Sequence, residues 1–214
     1  MIKDNYNEII ARISEYAEPS TVTVVAVTKY QSLESANQAI LCGIKDIGEN
    51  RVQQLCERNE LFLPVKKHLI GHLQTNKVKP AVAIADLIQS VDSVRVAVEI
   101  AKQASKLDKI QDVLIEINIA DEATKTGASI NDLNDILNAC ANISGISVKG
   151  LMAVMPIGAQ EYYFEKMYSL FQDAKTRNFT NTQLQTLSMG MSDDYPLAVK
   201  HGSNMIRVGR TLFK

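Results

Sequence analysis

The chain has 214 residues, a net charge of −1 and three cysteines. This length suits one large domain with a substantial core, and the near-neutral charge gives no general attraction to nucleic acid or to anionic lipid. The odd number of cysteines and the lack of CxxC spacing predict reduced thiols, with Cys56 and Cys140 in the core of a cytoplasmic protein. No apolar run is as long as a membrane span, and the first residues lack the apolar stretch of a signal peptide.

A run of apolar, mostly β-branched residues extends from 22 to 29 and ends in Lys29. It follows a predicted helix over residues 4–17. Such a run predicts a strand buried on both faces, which is typical of parallel sheets. Alternation along the strand would place Lys29 on the same face as Val25 and Val27, at the carboxyl end, where α/β barrels carry their sites. The alternative is a lysine that simply reaches solvent.

Helices and strands alternate along the rest of the chain. Ser32 is the predicted N-cap of the second helix, with Ser35 at the N3 position. Further strands are predicted at residues 45–48, 68–71, 85–90, 112–119, 146–153, 185–188 and 205–208. Eight alternating strands predict an α/β fold, a single (β/α)8 TIM barrel domain over residues 1–214 with an extra amino-terminal helix. An open doubly wound sheet is the alternative.

A barrel also predicts which side chains point inward. Glu116 and Asn118 share one face of their strand, opposite an aliphatic face that suits the surrounding helices. The same alternation turns Arg207 inward in the last strand. Lys29 and Arg207 near one rim would repel each other unless an anion lies between them. This fold places phosphate after the seventh and eighth strands, which predicts an anion there.

Two glycine-containing segments follow those two strands. In the first, Ser192 is a candidate N-cap whose neighbouring amides could donate to a phosphate. An ordinary helix start, with Asp193 and Asp194 complementing the helix dipole, is the alternative. In the second, Gly209 and Arg210 offer backbone that can approach a ligand closely. The two segments together indicate a phosphate site more specifically than either one alone.

Six segments, in order across almost the whole chain, resemble the pyridoxal phosphate homeostasis proteins, relatives of the barrel domain of alanine racemase. They are AVTK at 26–29, IGENRVQ at 47–53, HLIGHLQTNK at 68–77, GLM at 150–152, LSMGMSDD at 187–194 and RVG at 207–209. The resemblance implies that pyridoxal 5′-phosphate is held as a Schiff base on Lys29. It also implies a role in vitamin B6 homeostasis.

The same resemblance suggests how the cofactor would be held. Ser192 and the backbone around Gly209 and Arg210 would bind the phosphate, Arg207 would face the pyridine nitrogen, and Asn50 would lie beside the cofactor. Arg210 stands where the family usually has a small hydroxyl residue. Met152 is predicted to point into the barrel, where it would pack on the ring or in the plain core.

Arg207 restricts the reaction type. Enzymes that use this cofactor as a full electron sink keep its pyridine nitrogen protonated with a carboxylate, whereas a guanidinium has only donors. The related racemases also take a tyrosine base from a second domain, which we do not find after Lys214. We therefore predict a monomeric carrier of the cofactor with little or no turnover, and cofactor-requiring enzymes as its clients.

Two other classes of function stay open. One is an amino-acid racemase-like pyridoxal phosphate enzyme, and the other is a cofactor-free aldolase-type barrel that uses the same lysine. His68 and His72 lack the glutamate of a helical zinc motif, so we predict no metal site. The polar residues Gln74, Asn76 and Lys77 either line the mouth of the barrel or form a solvated helix start.

Overall fold

The computed structural model describes residues 1–122, 125–177, 179–180 and 182–214. Eight parallel strands form a closed barrel in chain order. They are β1 (Thr23–Val27), β2 (Asp46–Glu49), β3 (Lys66–Leu69), β4 (Leu87–Val91), β5 (Gln111–Ile117), β6 (Ile146–Ala153), β7 (Thr182–Ser188) and β8 (Met205–Val208). The first strand pairs with the last, with Val25 opposite Arg207, so the barrel is confirmed and the open sheet is excluded.

Helices follow the strands, and one helix precedes them as expected. The α-helices within the described residues are α1 (Ile2–Ser14), α2 (Leu33–Leu41), α3 (Val52–Arg58), α4 (Val78–Ile84), α5 (Val94–Ser105), α6 (Leu133–Ala141), α7 (Glu161–Thr176), α8 (Tyr195–Lys200) and α9 (Arg210–Phe213). Ser32 is the N-cap of α2, as predicted, and its hydroxyl accepts the amide of Ser35 at 3.1 Å. Helix α9 was not predicted. None of these helices has the length and apolar character to cross a bilayer.

The core has two layers because most of the strands are buried on both faces. Most buried aliphatic side chains lie between the barrel and its helices. A smaller cluster fills the interior of the barrel, and its members are Val25, Leu87, Leu114, Met152 and Met205. Within each strand, side chains therefore alternate between the interior of the barrel and the surrounding helices, as the sequence predicts.

One expectation about the cysteines is wrong. Cys140 is buried, and burial raises the pKa of its thiol to about 11. Cys56, however, is exposed. Its neighbour Leu55 occupies the buried face of α3, and one residue along a helix turns the side chain by about 100°. All three cysteines are free thiols.

Candidate cofactor-binding site

Lys29 lies just beyond the carboxyl end of β1, in a turn rather than in the strand. The strand ends at Val27, and the amide of Gln31 closes the turn on the carbonyl of Thr28 at 3.0 Å. Strand alternation therefore does not fix the direction of Lys29. Its side chain is half-buried, and Nζ lies 5.2 Å from the centroid of the Tyr30 ring. The amine is thus at the barrel rim.

A buried ion pair holds this turn in place. Oε1 of the fully buried Glu49 accepts the Thr28 hydroxyl at 2.7 Å and Arg58 Nη1 at 2.9 Å. Arg58 also donates to the carbonyl oxygens of Thr28 and Gln31, each at 3.2 Å. Burial raises the pKa of Glu49, and the contacts from Thr28 and Arg58 oppose that rise. The turn that carries Lys29 is therefore anchored to β2 and α3.

Arg207 points into the interior of the barrel, as expected. Its Nη1 donates to Ser188 Oγ at 2.6 Å and to the Ser188 carbonyl at 2.9 Å, and Nη2 donates to the Ala153 carbonyl at 2.7 Å. Burial lowers the pKa of Arg207 to about 10, against the opposing charges of Glu116 and Asp194. The guanidinium therefore stays charged at neutral pH.

Glu116 is a buried carboxyl whose charge acts on Arg207. Its side chain is only 4% exposed, Oε1 accepts the Thr126 hydroxyl at 2.8 Å, and Oε2 has no hydrogen-bond partner among the described residues. Burial raises the pKa of Glu116, while the charge of Arg207 acts in the opposite direction. Asn118 does not share this environment, because β5 ends at Ile117 and the Asn118 amide bonds the backbone of Glu122 instead.

The segments after β7 and β8 meet at Ser192. Its Oγ accepts the amides of Gly209 and Thr211, both at 3.3 Å, and the Thr211 hydroxyl donates to the Ser192 carbonyl at 3.2 Å. Ser192 is therefore not a helix N-cap. Helix α8 begins at Tyr195, and its N-cap is Asp194. Sequence reasoning missed Thr211, although a hydroxyl residue directly after Arg210 is visible in the sequence.

This junction fits a phosphate group. Two hydroxyls and two backbone amides converge there, which is the donor set that binds phosphate in proteins. Gly209 lets the backbone come close, because a Cβ added to it would lie 3.3 Å from the Val27 carbonyl oxygen. The Arg210 side chain pairs with Asp193 and is well exposed, so it leaves the junction uncovered. The junction thus lies beside β1, two residues before Lys29.

The other predicted site residues have separate positions. Asn50 follows β2 and lines a rim cleft of about 300 Å³ together with Gln74 and Lys77. Asn76 lines a neighbouring cleft with His72. Met152 is fully buried in the interior cluster. A cleft of about 860 Å³ contains the starts of β6 and β7 and so lies at the opposite end of the barrel.

His68 and His72 do not come together as a metal pair. His68 is inside the barrel, where Nε2 contacts Asp46 at 3.0 Å and Nδ1 contacts Gln89 at 2.8 Å. His72 lies at the rim and pairs with Asp92 at 3.2 Å. A four-residue spacing brings two side chains to one face only in a helix, and these two residues flank a strand end.

The closed barrel, the lysine beyond β1 and the junction at Ser192 after β7 and β8 define a class of protein. The sequence model of the family described as alanine racemase, N-terminal domain, matches residues 2–214. Alanine racemase from Corynebacterium glutamicum has the same fold, with a TM-score of 0.76 at 11% identity over 99% of this chain and 59% of that one. At this identity the likeness concerns the fold alone.

More similar relatives narrow the class. A pyridoxal phosphate homeostasis protein from Pasteurella multocida is 36% identical over 202 residues, which is 91% of this chain and 86% of the relative. One from Aquifex aeolicus is 39% identical over 178 residues, or 80% and 77%. The structure of PipY from Synechococcus elongatus was solved with PLP (pyridoxal 5′-phosphate) bound. It aligns over 100% of this chain and 100% of its own, with a TM-score of 0.85 at 28% identity. The chain belongs to the family of pyridoxal phosphate homeostasis proteins.

Proposed function

We propose that this chain binds pyridoxal 5′-phosphate (PLP) covalently at Lys29, as a single barrel domain, and takes part in intracellular PLP homeostasis with little or no turnover. The observation that carries the proposal is the junction at Ser192, which gathers phosphate donors beside the strand that leads to Lys29. The PLP-bound structure of PipY supports it. We further infer a cytoplasmic monomer that serves cofactor-requiring enzymes, without nucleic acid or membrane as a partner.

Different residues of the site would hold different parts of the cofactor. Ser192, Gly209, Arg210 and Thr211 would hold the phosphate through hydroxyl and backbone donors. Arg207 would offer an N–H to the pyridine nitrogen. The cofactor would supply an aldehyde, and the Lys29 amine would hold it covalently.

Two further residues would complete the site. Asn50 would lie at the edge of the cofactor from the end of β2. Met152 would form part of the floor, since it belongs to the interior cluster below the mouth.

Arg207 explains why we infer little turnover. Strong withdrawal of electrons into the pyridine ring requires a protonated nitrogen, which enzymes maintain with a carboxylate partner. Arg207 has no acceptor atom and stays charged at neutral pH, so it can donate to an unprotonated nitrogen but cannot hold a proton on it. The site therefore favours retention of the cofactor over amino-acid chemistry.

Covalent attachment can be tested on the full chain. After incubation with PLP and removal of the excess, we expect a visible absorption band, and after borohydride reduction we expect the added mass on the peptide that contains Lys29. Lys29→Ala should lose both. Lys109 is an internal control, because burial lowers the pKa of its amine as well. It lies far from the mouth of the barrel and donates to backbone carbonyls at the end of α4.

Each possible result has a clear meaning. A colourless protein would refute the proposal and favour an aldolase-type barrel. Equal labelling of Lys29 and Lys109 would show unspecific reaction and would also refute it. Exchange of amino-acid α-protons in deuterated water at an enzymatic rate, measured by NMR, would replace the carrier function with a racemase-like one.

A further inference from the structure

A continuous series of polar contacts leads from Arg207 through the interior of the barrel. The other side chains of the interior are mostly apolar. Asp46, His68, Gln89, Ser188 and Arg207 come from β2, β3, β4, β7 and β8. Successive contacts measure 3.0, 2.8, 2.7 and 2.6 Å. The last four residues are at most 4% exposed, and the side chain of Asp46 is 14% exposed. We call these five residues the interior relay.

All donors of the interior relay point the same way. Arg207 Nη1 donates to Ser188 Oγ, and the Ser188 hydroxyl donates to Gln89 Oε1. Gln89 Nε2 donates to His68 Nδ1, which makes Nε2–H of His68 the donor to Asp46. Gln89 Nε2 also lies 3.3 Å from Met205 Sδ and directs its second proton at the sulfur. This supports the amide orientation, because in the flipped amide the oxygen would face the sulfur with no proton between them.

A hydrogen-bonded series with one direction polarises along its length, most strongly in a dry interior. Here the series ends on a carboxylate at the first residue of β2, which solvent reaches. The negative end at Asp46 therefore favours the positive charge of Arg207 through one part-buried and three buried contacts.

The interior relay also determines which N–H groups of Arg207 are left for a ligand. A guanidinium has five N–H donors, and the three hydrogen bonds of Arg207 to described residues go to the Ser188 hydroxyl, the Ser188 carbonyl and the Ala153 carbonyl. These contacts fix Nη1 and one side of Nη2. Two donors remain for an acceptor in the mouth of the barrel.

We propose that Asp46, His68, Gln89 and Ser188 are positioning residues that fix the orientation and charge of Arg207 toward an aromatic nitrogen acceptor. The inference rests on the proposed function, in which that acceptor is the unprotonated pyridine nitrogen of PLP. The competing explanation is a buried polar cluster that only specifies the fold. The two explanations differ in whether a change at Gln89 or Asp46 reaches Arg207.

The first experiment uses the full chain without cofactor. Nitrogen-15 NMR of the wild type should show His68 as the Nε2–H tautomer. In Gln89→Met, the side-chain N–H protons of Arg207 should exchange with water roughly tenfold faster, because the anchor on Ser188 loosens. Ser203→Ala is the matched control. Ser203 is another buried serine, whose Oγ lies 2.7–3.1 Å from the carbonyl oxygens of Leu187, Met189 and Met205, and it lies outside the interior relay.

The second experiment adds PLP labelled with nitrogen-15 in its ring. We expect the wild type and Ser203→Ala to share one ring-nitrogen shift, that of an unprotonated nitrogen. Gln89→Met should move this shift and weaken binding roughly three- to tenfold. Asp46→Asn replaces a partly exposed carboxylate with an isosteric amide, so it tests the far end with little risk to folding, and it should move the shift in the same direction.

The outcomes separate the two proposals. If Arg207 exchange and the ring shift are the same in Gln89→Met, Asp46→Asn and Ser203→Ala, the interior relay is only structural and this inference is wrong. If Arg207 responds in the cofactor-free chain but no variant, including the wild type, binds PLP, the proposed function fails while the relay stands. A His68 Nδ1–H tautomer in the wild type would also overturn the inference.

Discussion

Glu116 shows how a single side chain can make the stability of this barrel depend on pH. The carboxyl is buried, and one of its oxygens has no partner among the described residues, so ionisation is costly there. Its pKa in the folded chain lies above the ordinary value of 4.5 because burial outweighs the attraction of Arg207. The folded state therefore holds this proton more tightly than the unfolded state does, and Glu116 lowers stability as the pH rises from 4.5 through the raised pKa.

Glu116→Gln should remove this dependence. We expect the variant to gain free energy of unfolding relative to the wild type as the pH is raised from about 4 to about 7.5. Glu99→Gln is a control of opposite sign, because the hydrogen bond from Gln103 lowers the pKa of Glu99 and the stabilisation it gives is lost as the pH falls. Urea unfolding at both pH values measures each difference. Parallel profiles for wild type and Glu116→Gln would contradict the prediction.

The contact between β6 and β7 depends on a backbone approach that only glycine allows. A Cβ at Gly150 would lie 1.7 Å from the carbonyl oxygen of Thr186, and the register of both neighbouring strand pairs shifts at this position. Strand β6 also ends at Ala153, whose carbonyl accepts Nη2 of Arg207. A change at Gly150 therefore affects both the sheet and the position of an acceptor in the site.

Gly150→Ala should destabilise the chain by at least about 3 kcal/mol, because the added carbon meets backbone that cannot move aside without breaking the ladder. Gly158→Ala is the control. Gly158, unlike Gly150, has a left-handed φ, +67°, but nothing lies within 4 Å of an added Cβ, so its cost should be about 1 kcal/mol. Equilibrium unfolding in urea compares the two. Similar midpoints would refute the steric argument.

At the scale of the whole molecule, binding and stability are linked. A ligand that binds only the folded chain, at a free concentration of about one hundred times its dissociation constant, adds about 2.7 kcal/mol. For a domain of this size we expect PLP to raise the melting temperature by roughly 5–10 °C. Thr211→Val should show a clearly smaller rise, because the phosphate loses a hydroxyl donor.

Thr182→Val is the matched control for that measurement. Its hydroxyl donates to the Phe179 carbonyl at the start of β7, far from the junction at Ser192, so the rise should match that of the wild type. Differential scanning calorimetry gives both values. An equal rise in Thr211→Val and Thr182→Val would show that Thr211 does not contact the phosphate.

Much of the barrel could be predicted because its signals are local. Alternating strand and helix patterns along the chain predict the strand count and order, and the predicted strands at 146–153 and 205–208 match β6 and β8. The turn at Lys29 could not be predicted, since the strand ends where the Thr28 hydroxyl bonds Glu49 of the next strand. That contact depends on tertiary packing.

The site was predictable in part for the same reason. Arg207 is oriented by alternation within one short strand. The bonds that Ser192 makes to Gly209 and Thr211 join two segments whose relative placement no local pattern specifies. Gln89 is a long polar side chain in the middle of a strand that begins and ends with apolar residues, and it is the visible hint of the interior relay. Its partners come from strands distant in sequence, so only the fold brings them together.

The seam between β7 and β8 has a mechanical consequence. In the part of the chain that the structure describes, a single register pair, Ser188 with Met205, joins these strands. Flanking backbone hydrogen bonds and the side chains of Ser203, Asn204 and Arg207 provide the remaining connection. Among the described residues, the closed sheet thus has fewer register pairs between β7 and β8 than between any other two neighbouring strands. A ligand that contacts the loops beyond both strands would bridge this joint and oppose its opening.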